Sequence, residues 1–329
     1  MPACNRGSGR ALEVNYVSAP QVNLRDRVAA VYNKVGLVKN GDRVEVLDHD
    51  RRFVKVRTVG GMEGWMEQRF LVGEDVYNDL QKLAQQTQND PVQGQATTRN
   101  DTNLHVTPGR DSDHLYQVTA GSKVQLLKRA TAERPNTTAP QAKPQPKIEE
   151  KAAEKSAEKR AEKPGEKKDA PPIMEDWWLA RDAQGHAGWV LARMVDLDLS
   201  LDIAQYAEGQ RIVAYFVLDE VRDGGKKVPQ YLTLLTEPKD GLPFDFDQVR
   251  VFTWNLKRHR YETAYRERLK GFLPATVTQE NYEKEGTLPT FTIRVQDDSG
   301  NVTPRKYKLN TPIVRRVLAP GEEAAKRRR

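Results

Sequence analysis

Short alternations of apolar and polar residues run along most of the chain. "RVEVL" (43–47) and "KVQLL" (123–127) place an apolar residue at nearly every second position, the period of a strand with one buried face. "FVKVRTV" (53–59) and "WWLAR" (177–181) read as the strands that follow them, with Gly60-Gly61 and Gln184-Gly185 as turns. From about Ile203 a third block alternates in the same way through "RIVAYFVLDEV", "PQYLTLLTE" and "PTFTIRVQ", rich in Val, Ile, Tyr, Phe and Thr. Within it, one hairpin turns near Lys257-Arg258 and another at Asp298-Ser299-Gly300. The break in this pattern is "GEDVYNDLQKLAQQTQNDP", where Val76, Leu80, Leu83 and Ala84 share one helical stripe and Asp90-Pro91 ends it.

The first two blocks are copies of each other. Asn23-Leu24-Arg25 matches Asn103-Leu104-His105, and Gly41, Val44, Val46 and Leu47 match Gly121, Val124, Leu126 and Leu127, all at one offset. A longer offset then joins Phe53 through Arg57 to Trp177 through Arg181, Gly64-Trp65 to Gly188-Trp189, and Arg69 to Arg193. The second copy therefore carries an insertion between Leu127 and Trp177. Repetition at fixed order means one supersecondary unit used twice, and short strands with regular turns predict small barrels.

The pattern resembles the bacterial SH3 (SH3b) family, whose marks are N-L-R near the start, a K-x-G-x-x-V-x-V strand, a W-x-x-V-R strand and a late G-W-V. The first copy reads "NLR", "KNGDRVEV", "FVKVR" and "GWM"; the second reads "NLH", "TAGSKVQL", "WWLAR" and "GWV". The resemblance covers about 14–72, and about 97–130 plus 175–196. Phe53 stands where the family favours Trp, and His105 where it favours Arg. The resemblance implies a binding or adaptor module without catalytic residues, of a kind that in the envelope contacts peptidoglycan or its peptides. Tyr16, Tyr32, Tyr116 and Trp177 are the candidate ligand-binding aromatics, Trp177 as the exposed member of the Trp177-Trp178 pair. Trp65 and Trp189 read as core or barrel-edge residues.

The expected fold is mainly β: two small SH3-like barrels, the second interrupted by a long charged insertion, and a C-terminal all-β domain. The expected organisation is an N-terminal segment (1–13), barrel one (14–73), a connector helix (74–96), barrel two (97–198, with insertion 131–175), the β domain (203–319) and a basic tail (320–329). The insertion is rich in Lys, Glu, Ala and Pro and lacks aromatics and nearly all larger aliphatics, so it is expected to be disordered and partly helical.

Composition narrows function only a little. Over 329 residues the formal net charge is +7, which permits anionic partners without choosing one. Many of the lysines sit in the insertion, interleaved with glutamates, so no specific nucleic-acid partner is expected. The mean hydropathy is −0.76, and no apolar run reaches the roughly 18 residues of a membrane span. The single cysteine, Cys4, follows Ala3 and precedes a Gly/Ser stretch. That arrangement resembles the end of a bacterial lipoprotein signal, so Cys4 is the candidate lipidation site and the one expected membrane link; the alternative is a free thiol in a frayed terminus. With an anchor the protein belongs in the periplasm or envelope; if the written start is the true one, it stays in the cytoplasm.

The five histidines are dispersed and no metal-ligand, phosphate-loop or dinucleotide motif occurs. No catalytic, metal or cofactor residue is expected. "DLDLSLD" (196–202) reads as a solvated stretch with its aspartates on one face, and the basic cluster Lys257, Arg258, His259, Arg260, Arg266 and Arg268 as a strand surface. The expectation is a non-enzymatic envelope binding or scaffolding protein that meets peptidoglycan or an envelope protein. An intracellular adaptor, and an enzyme targeted by its barrels, are the alternatives.

Overall fold

The computed structural model describes residues 10–28, 33–135 and 172–318. The protein is mainly β, with three seven-stranded antiparallel sheets in chain order. Cys4, Tyr32, most of the insertion and the basic tail lie outside the described residues.

The first sheet is built from β1 (Glu13–Val17), β2 (Gln21–Arg25), β3 (Lys34–Lys39), β4 (Arg43–Asp50), β5 (Phe53–Thr58), β6 (Glu63–Glu67) and β7 (Leu71–Gly73). Its order is β3-β2-β6-β5-β4-β1-β7. Alternate residues of successive strands, among them Val22, Leu24, Val44, Val46, Val54 and Val56, converge on one buried cluster, so the sheet curls into a small barrel.

Helix α1 (Glu74–Gln86) follows, with Glu74 and Asp75 in its first turn, where carboxylates favour the helix dipole. Val76 and Leu80 are its buried residues. They pack between barrels against Tyr16 and Leu115, and the Arg181 guanidinium donates to the Thr87 carbonyl at the helix end.

The second sheet comprises β8 (Gly94–Thr98), β9 (Thr102–His105), β10 (His114–Val118), β11 (Lys123–Glu133), β12 (Met174–Arg181), β13 (Ala187–Leu191) and β14 (Val195–Leu197). Its order, β10-β9-β13-β12-β11-β8-β14, repeats the first strand for strand. The sheet begins at Gly94, ahead of the expected 97. The shared Gly-Trp pair has a steric reason. A Cβ on Gly64 would sit 2.7 Å from Leu24 Cβ, and one on Gly188 would sit 2.5 Å from Leu104 Cβ. In both barrels only glycine lets the strand pass that close to the N-L strand.

The insertion leaves from the tip of the β11–β12 hairpin. Its described strands reach further than the expected limits of 131 and 175, since Glu133 pairs with Met174 and Arg134 N donates to Ile173 O at 2.7 Å.

A short helix α2 (Leu201–Ala204) leads to the third sheet: β15 (Arg211–Asp223), β16 (Lys226–Thr236), β17 (Phe246–Asn255), β18 (Arg260–Tyr282), β19 (Gly286–Gln296), β20 (Val302–Asn310) and β21 (Ile313–Val317). These form a meander in sequence order. Both expected hairpins occur: β17 and β18 join through 256–259, and β19 and β20 through 297–301. Strand β18 pairs with β17 over its first half and β19 over its second, and Gly271 marks the change. A Cβ there would fall 2.1 Å from the Phe246 ring, so the glycine admits the ring at the bend.

Barrel two and the third sheet are not separate bodies. One apolar cluster runs from Leu104, Val124 and Trp178 into Val213, Leu232 and Phe291. The Gln93 carboxamide reinforces the join by pairing with the backbone of Ala275, donating at 3.2 Å and accepting at 2.8 Å.

Candidate functional site

Strand alternation selects the outward residues of barrel one. In β5 the buried Val54 and Val56 leave Phe53, Lys55 and Arg57 on the outer face. In β6 Gly64 and Met66 are buried and Trp65 and Glu67 face out. Phe53, Trp65 and Phe70 are half-buried and line a groove of about 220 Å³ together with Asn23, Arg25 and Glu67. Arg25 and Trp65 are cross-strand partners.

The rim is mostly cationic. The Arg52 guanidinium lies 5.2 Å from the Phe53 ring centre and that of Arg69 lies 4.7 Å from the Phe70 ring centre. Arg69 also pairs with Glu67 at 2.7 Å. Phe53 also borders a second hollow of about 640 Å³, lined by Val28, Asp50, Arg51 and Arg52. An aromatic floor under arginines suits an extended chain with apolar or planar groups and carboxylates.

The same place in barrel two is closed. Trp177, expected at an exposed face, is 2% exposed, and its neighbour Trp178 is 6% exposed. Adjacent residues of a strand face opposite ways, so both faces of β12 are covered. On one face the His105 ring meets Trp177 edge-on at 5.3 Å. His105 Nδ1 lies 2.9 Å from the Ser112 carbonyl, and Arg110 grips Glu175 with two hydrogen bonds of 2.7 Å. The 106–113 loop thus lies over Trp177. On the other face Asp176 and Trp178 meet the third sheet. The Arg110 hydrogen bonds hold the Glu175 carboxyl below the usual carboxylate range against the opposing effect of burial.

Burial pushes the His105 imidazole below its ordinary pKa, with its near neighbour His114 acting in the same direction and the Ser112 carbonyl opposing. A histidine with a depressed folded pKa binds fewer protons than its unfolded counterpart below about pH 6.5. Its contribution is therefore complete above that pH and is lost as pH falls through the interval below it. The stability of barrel two is expected to drop on acidification from pH 7 towards pH 5, and His105→Phe is expected to flatten that part of the profile. Urea midpoints at several pH values check it; an unchanged slope in the variant would assign the acid sensitivity elsewhere.

Tyr16 and Tyr116, the other candidates among the described residues, are not groove residues. Tyr16 is buried at the junction of barrel one with α1, stacked on Tyr77 with ring centres 4.1 Å apart. Tyr116 stacks on His186 at 3.7 Å and its hydroxyl accepts from Gln81 of α1 at 3.1 Å. These two tyrosines belong to the same barrel-to-barrel contact. Phe53, Trp65 and Phe70 take the place assigned to them. The signal that marks Phe53 and Trp65 is the period of two in β5 and β6 once Val54, Val56 and Met66 are recognised as core.

Elsewhere most of the clustered charges are held in ion pairs with residues of other segments. In "DLDLSLD", Arg99 grips Asp196, with Arg99 Nε donating at 2.8 Å, and Asp198 takes Lys123 at 2.8 Å, so these aspartates are held rather than merely solvated. In the basic cluster, Arg258 and Arg260 pair with Glu262, His259 with Asp223, and Arg266 with Glu208. A cavity of about 500 Å³ between barrel two and the third sheet contains Asp176, Asp196 and Asp240, each bound to an arginine. Burial opposes ionisation of Asp176, but Arg129, the Gly241 N–H and Arg211 outweigh it and lower its pKa. Asp176 thus acts as a fixed anion. Among the described residues no three His, Cys, Asp or Glu side chains gather to hold a metal ion, and no helix is long and apolar enough to cross a membrane.

Residues 20–72 match the bacterial SH3 domain family, the segment that carries the groove. No curated protein is similar to the chain. Among solved structures, it has a low similarity to an NlpC/P60 family protein from Bacillus cereus ATCC 10987, at 12% identity and a TM-score of 0.23, covering 57% of each chain. NlpC2 from Trichomonas vaginalis aligns at 10% identity and a TM-score of 0.17, covering 89% of this chain and 96% of that one. The chain spans a little over half the length of the Bacillus protein.

Proposed function

We propose that the protein is a non-enzymatic binding or scaffolding component of the bacterial cell envelope, and that barrel one holds an extended wall peptide or envelope-protein segment in the Phe53–Trp65–Phe70 groove. The open groove in the segment matching the bacterial SH3 family is the observation that carries this reading. Barrel two is, in this reading, a second SH3b unit: it shares the strand order and the Gly-Trp constraint. Its groove is sealed by Trp177, His105 and the Arg110–Glu175 pair, so it acts as a spacer that fixes barrel one to the third sheet. The envelope location rests on Cys4 as the anchored residue.

The test is co-sedimentation of the full chain with insoluble peptidoglycan at low and moderate salt. The protein is expected in the pellet at both. Replacing Phe53 and Trp65 together by alanine removes two aromatic anchors of the kind that each contribute about 2 kcal/mol or more; apparent affinity is expected to fall by roughly 700-fold where the two losses add, and by no less than about the 30-fold of a single anchor where they overlap. An unchanged amide proton spectrum outside the groove would show that the variant remains folded. If the unaltered protein stays in the supernatant, wall recognition is wrong and a protein-protein adaptor takes its place. If the variant pellets as well as the parent, the groove is the wrong site.

A further inference from the structure

The repeated strand order lets one barrel report on the other. Strand β10 is an edge of the second sheet and β3 the same edge of the first. They share a register, since Gln117 pairs with Asn103 as Leu37 pairs with Asn23. By that offset Val35 corresponds to Leu115, and by the longer offset that joins Gly64-Trp65 to Gly188-Trp189 Met62 corresponds to His186.

In barrel two this edge is covered. Leu115 is fully buried under Val76 and Leu80 of α1 and Tyr16 of barrel one. The Asn40 carboxamide closes the strand backbone, donating to Leu115 O at 2.7 Å and accepting from Gln117 N at 2.9 Å. In barrel one the matching edge is open and apolar. Val35 is 43% exposed, Leu37 37%, Met62 40% and Val59 81%. Met62 lies across Gly36, so close that a Cβ there would meet its sulfur. An exposed edge strand with a cluster of large apolar side chains is a recognised interaction surface. Lys34 and Lys39 flank it, both exposed; the Lys39 backbone N–H donates to Asp42 Oδ2 at 2.7 Å, and neither ammonium group is ion-paired among the described residues. The helix that covers the sister edge is acidic at its start, with Glu74, Asp75 and Asp79 against Lys82.

We propose that the β3 edge of barrel one docks an acidic amphipathic helix presented by a partner protein, seated on Val35, Leu37 and Met62 as α1 is seated across β10 and β13. The apolar stripe of the helix covers Val35 and Leu37, its carboxylates meet Lys34 and Lys39, and a carboxamide from the partner closes the backbone at Val35 and Leu37. None of Val35, Leu37 and Met62 lines the groove, although Leu37 is the cross-strand neighbour of the groove residue Asn23, and the proposal stands whether or not the groove binds wall material.

A peptide of residues 71–88, held helical by a staple across the exposed positions 78 and 82, is the probe. It is titrated into the isotope-labelled full chain and amide shifts are followed. Saturable shifts are expected at Val35, Gly36, Leu37 and Met62. Leu37→Glu, at an exposed position, is expected to weaken binding at least tenfold, and a peptide with Glu74, Asp75 and Asp79 changed to Lys should bind at least threefold more weakly than the parent peptide. Shifts confined to β10 would mean that the peptide only displaces α1 and would overturn the proposal, as would shifts indifferent to Leu37→Glu. So would a concentration-dependent dimer abolished by Leu37→Glu, which would assign the surface to a second copy. Deprotection of β3 amides on removal of residues 1–9 would assign it to the chain's own N-terminal segment.

Discussion

Asp176→Ala is expected to destabilise the unit formed by barrel two and the third sheet by about 3–5 kcal/mol, the cost of leaving a buried charge uncompensated. Asp176 is 1% exposed and joins three partners from different parts of the fold. Arg129 of β11 approaches it at 2.7 Å, Arg211 of β15 at 2.7 Å, and the Gly241 N–H donates at 3.0 Å. Arg129 is itself only 3% exposed. Without Asp176 it keeps Asp245 at 3.1 Å but loses its closest anion. Arg211 retains Asp240 at the surface. Asp196→Ala is the control: its arginine pair is more than half exposed on both sides, and exposed pairs contribute about 0–1 kcal/mol. Urea unfolding of the two variants should separate by several kcal/mol. Equal losses would mean that water reaches Arg129 and that the network is not desolvated as its burial indicates.

The same strand shows what the sequence could and could not disclose. Alternation and the paired motifs reveal β4, β5 and β6 and their counterparts β11, β12 and β13, and β5 in barrel one follows the rule, with Val54 and Val56 in and Phe53 out. In β12 the rule fails because "MEDWWLA" is buried almost throughout. A local period reports whether one face of a strand is dry; it cannot report that a loop and another sheet have covered the other. Trp177 looks exposed by comparison with Phe53 for that reason. The charged residues around it mislead in the same direction: Arg110, Glu175 and Asp176 look like surface, and each is half of a long-range pair. Tyr16 and Tyr116 have the composition of groove residues, but their neighbours Tyr77, Gln81 and His186 come from other elements that only the tertiary fold brings together. Strand existence is thus a local property here, whereas the location of the open groove depends on which barrel the chain has covered.

Trp178→Ala carries that distinction into a second large effect. The indole sits in the cluster that runs without a break from barrel two into the third sheet, whereas barrel one closes its own cluster around Val22, Leu24, Val44 and Met66. Truncating a buried tryptophan costs about 3–5 kcal/mol, and a shared core transmits the loss to everything packed on it. The unaltered protein is expected to unfold in two calorimetric steps, one for barrel one and one for barrel two with the third sheet. The variant should lower only the second step, while barrel two amides such as Leu104 and third-sheet amides such as Phe291 lose protection together. Met66→Ala, in the other cluster, should lower only the first. If Trp178→Ala instead melts barrel two and leaves the third sheet at its original temperature, the continuous core does not couple them. Barrel two would then be a separately folding spacer, held to the C-terminal sheet by polar contacts such as Gln93–Ala275, Asp176–Arg211 and Arg129–Asp245.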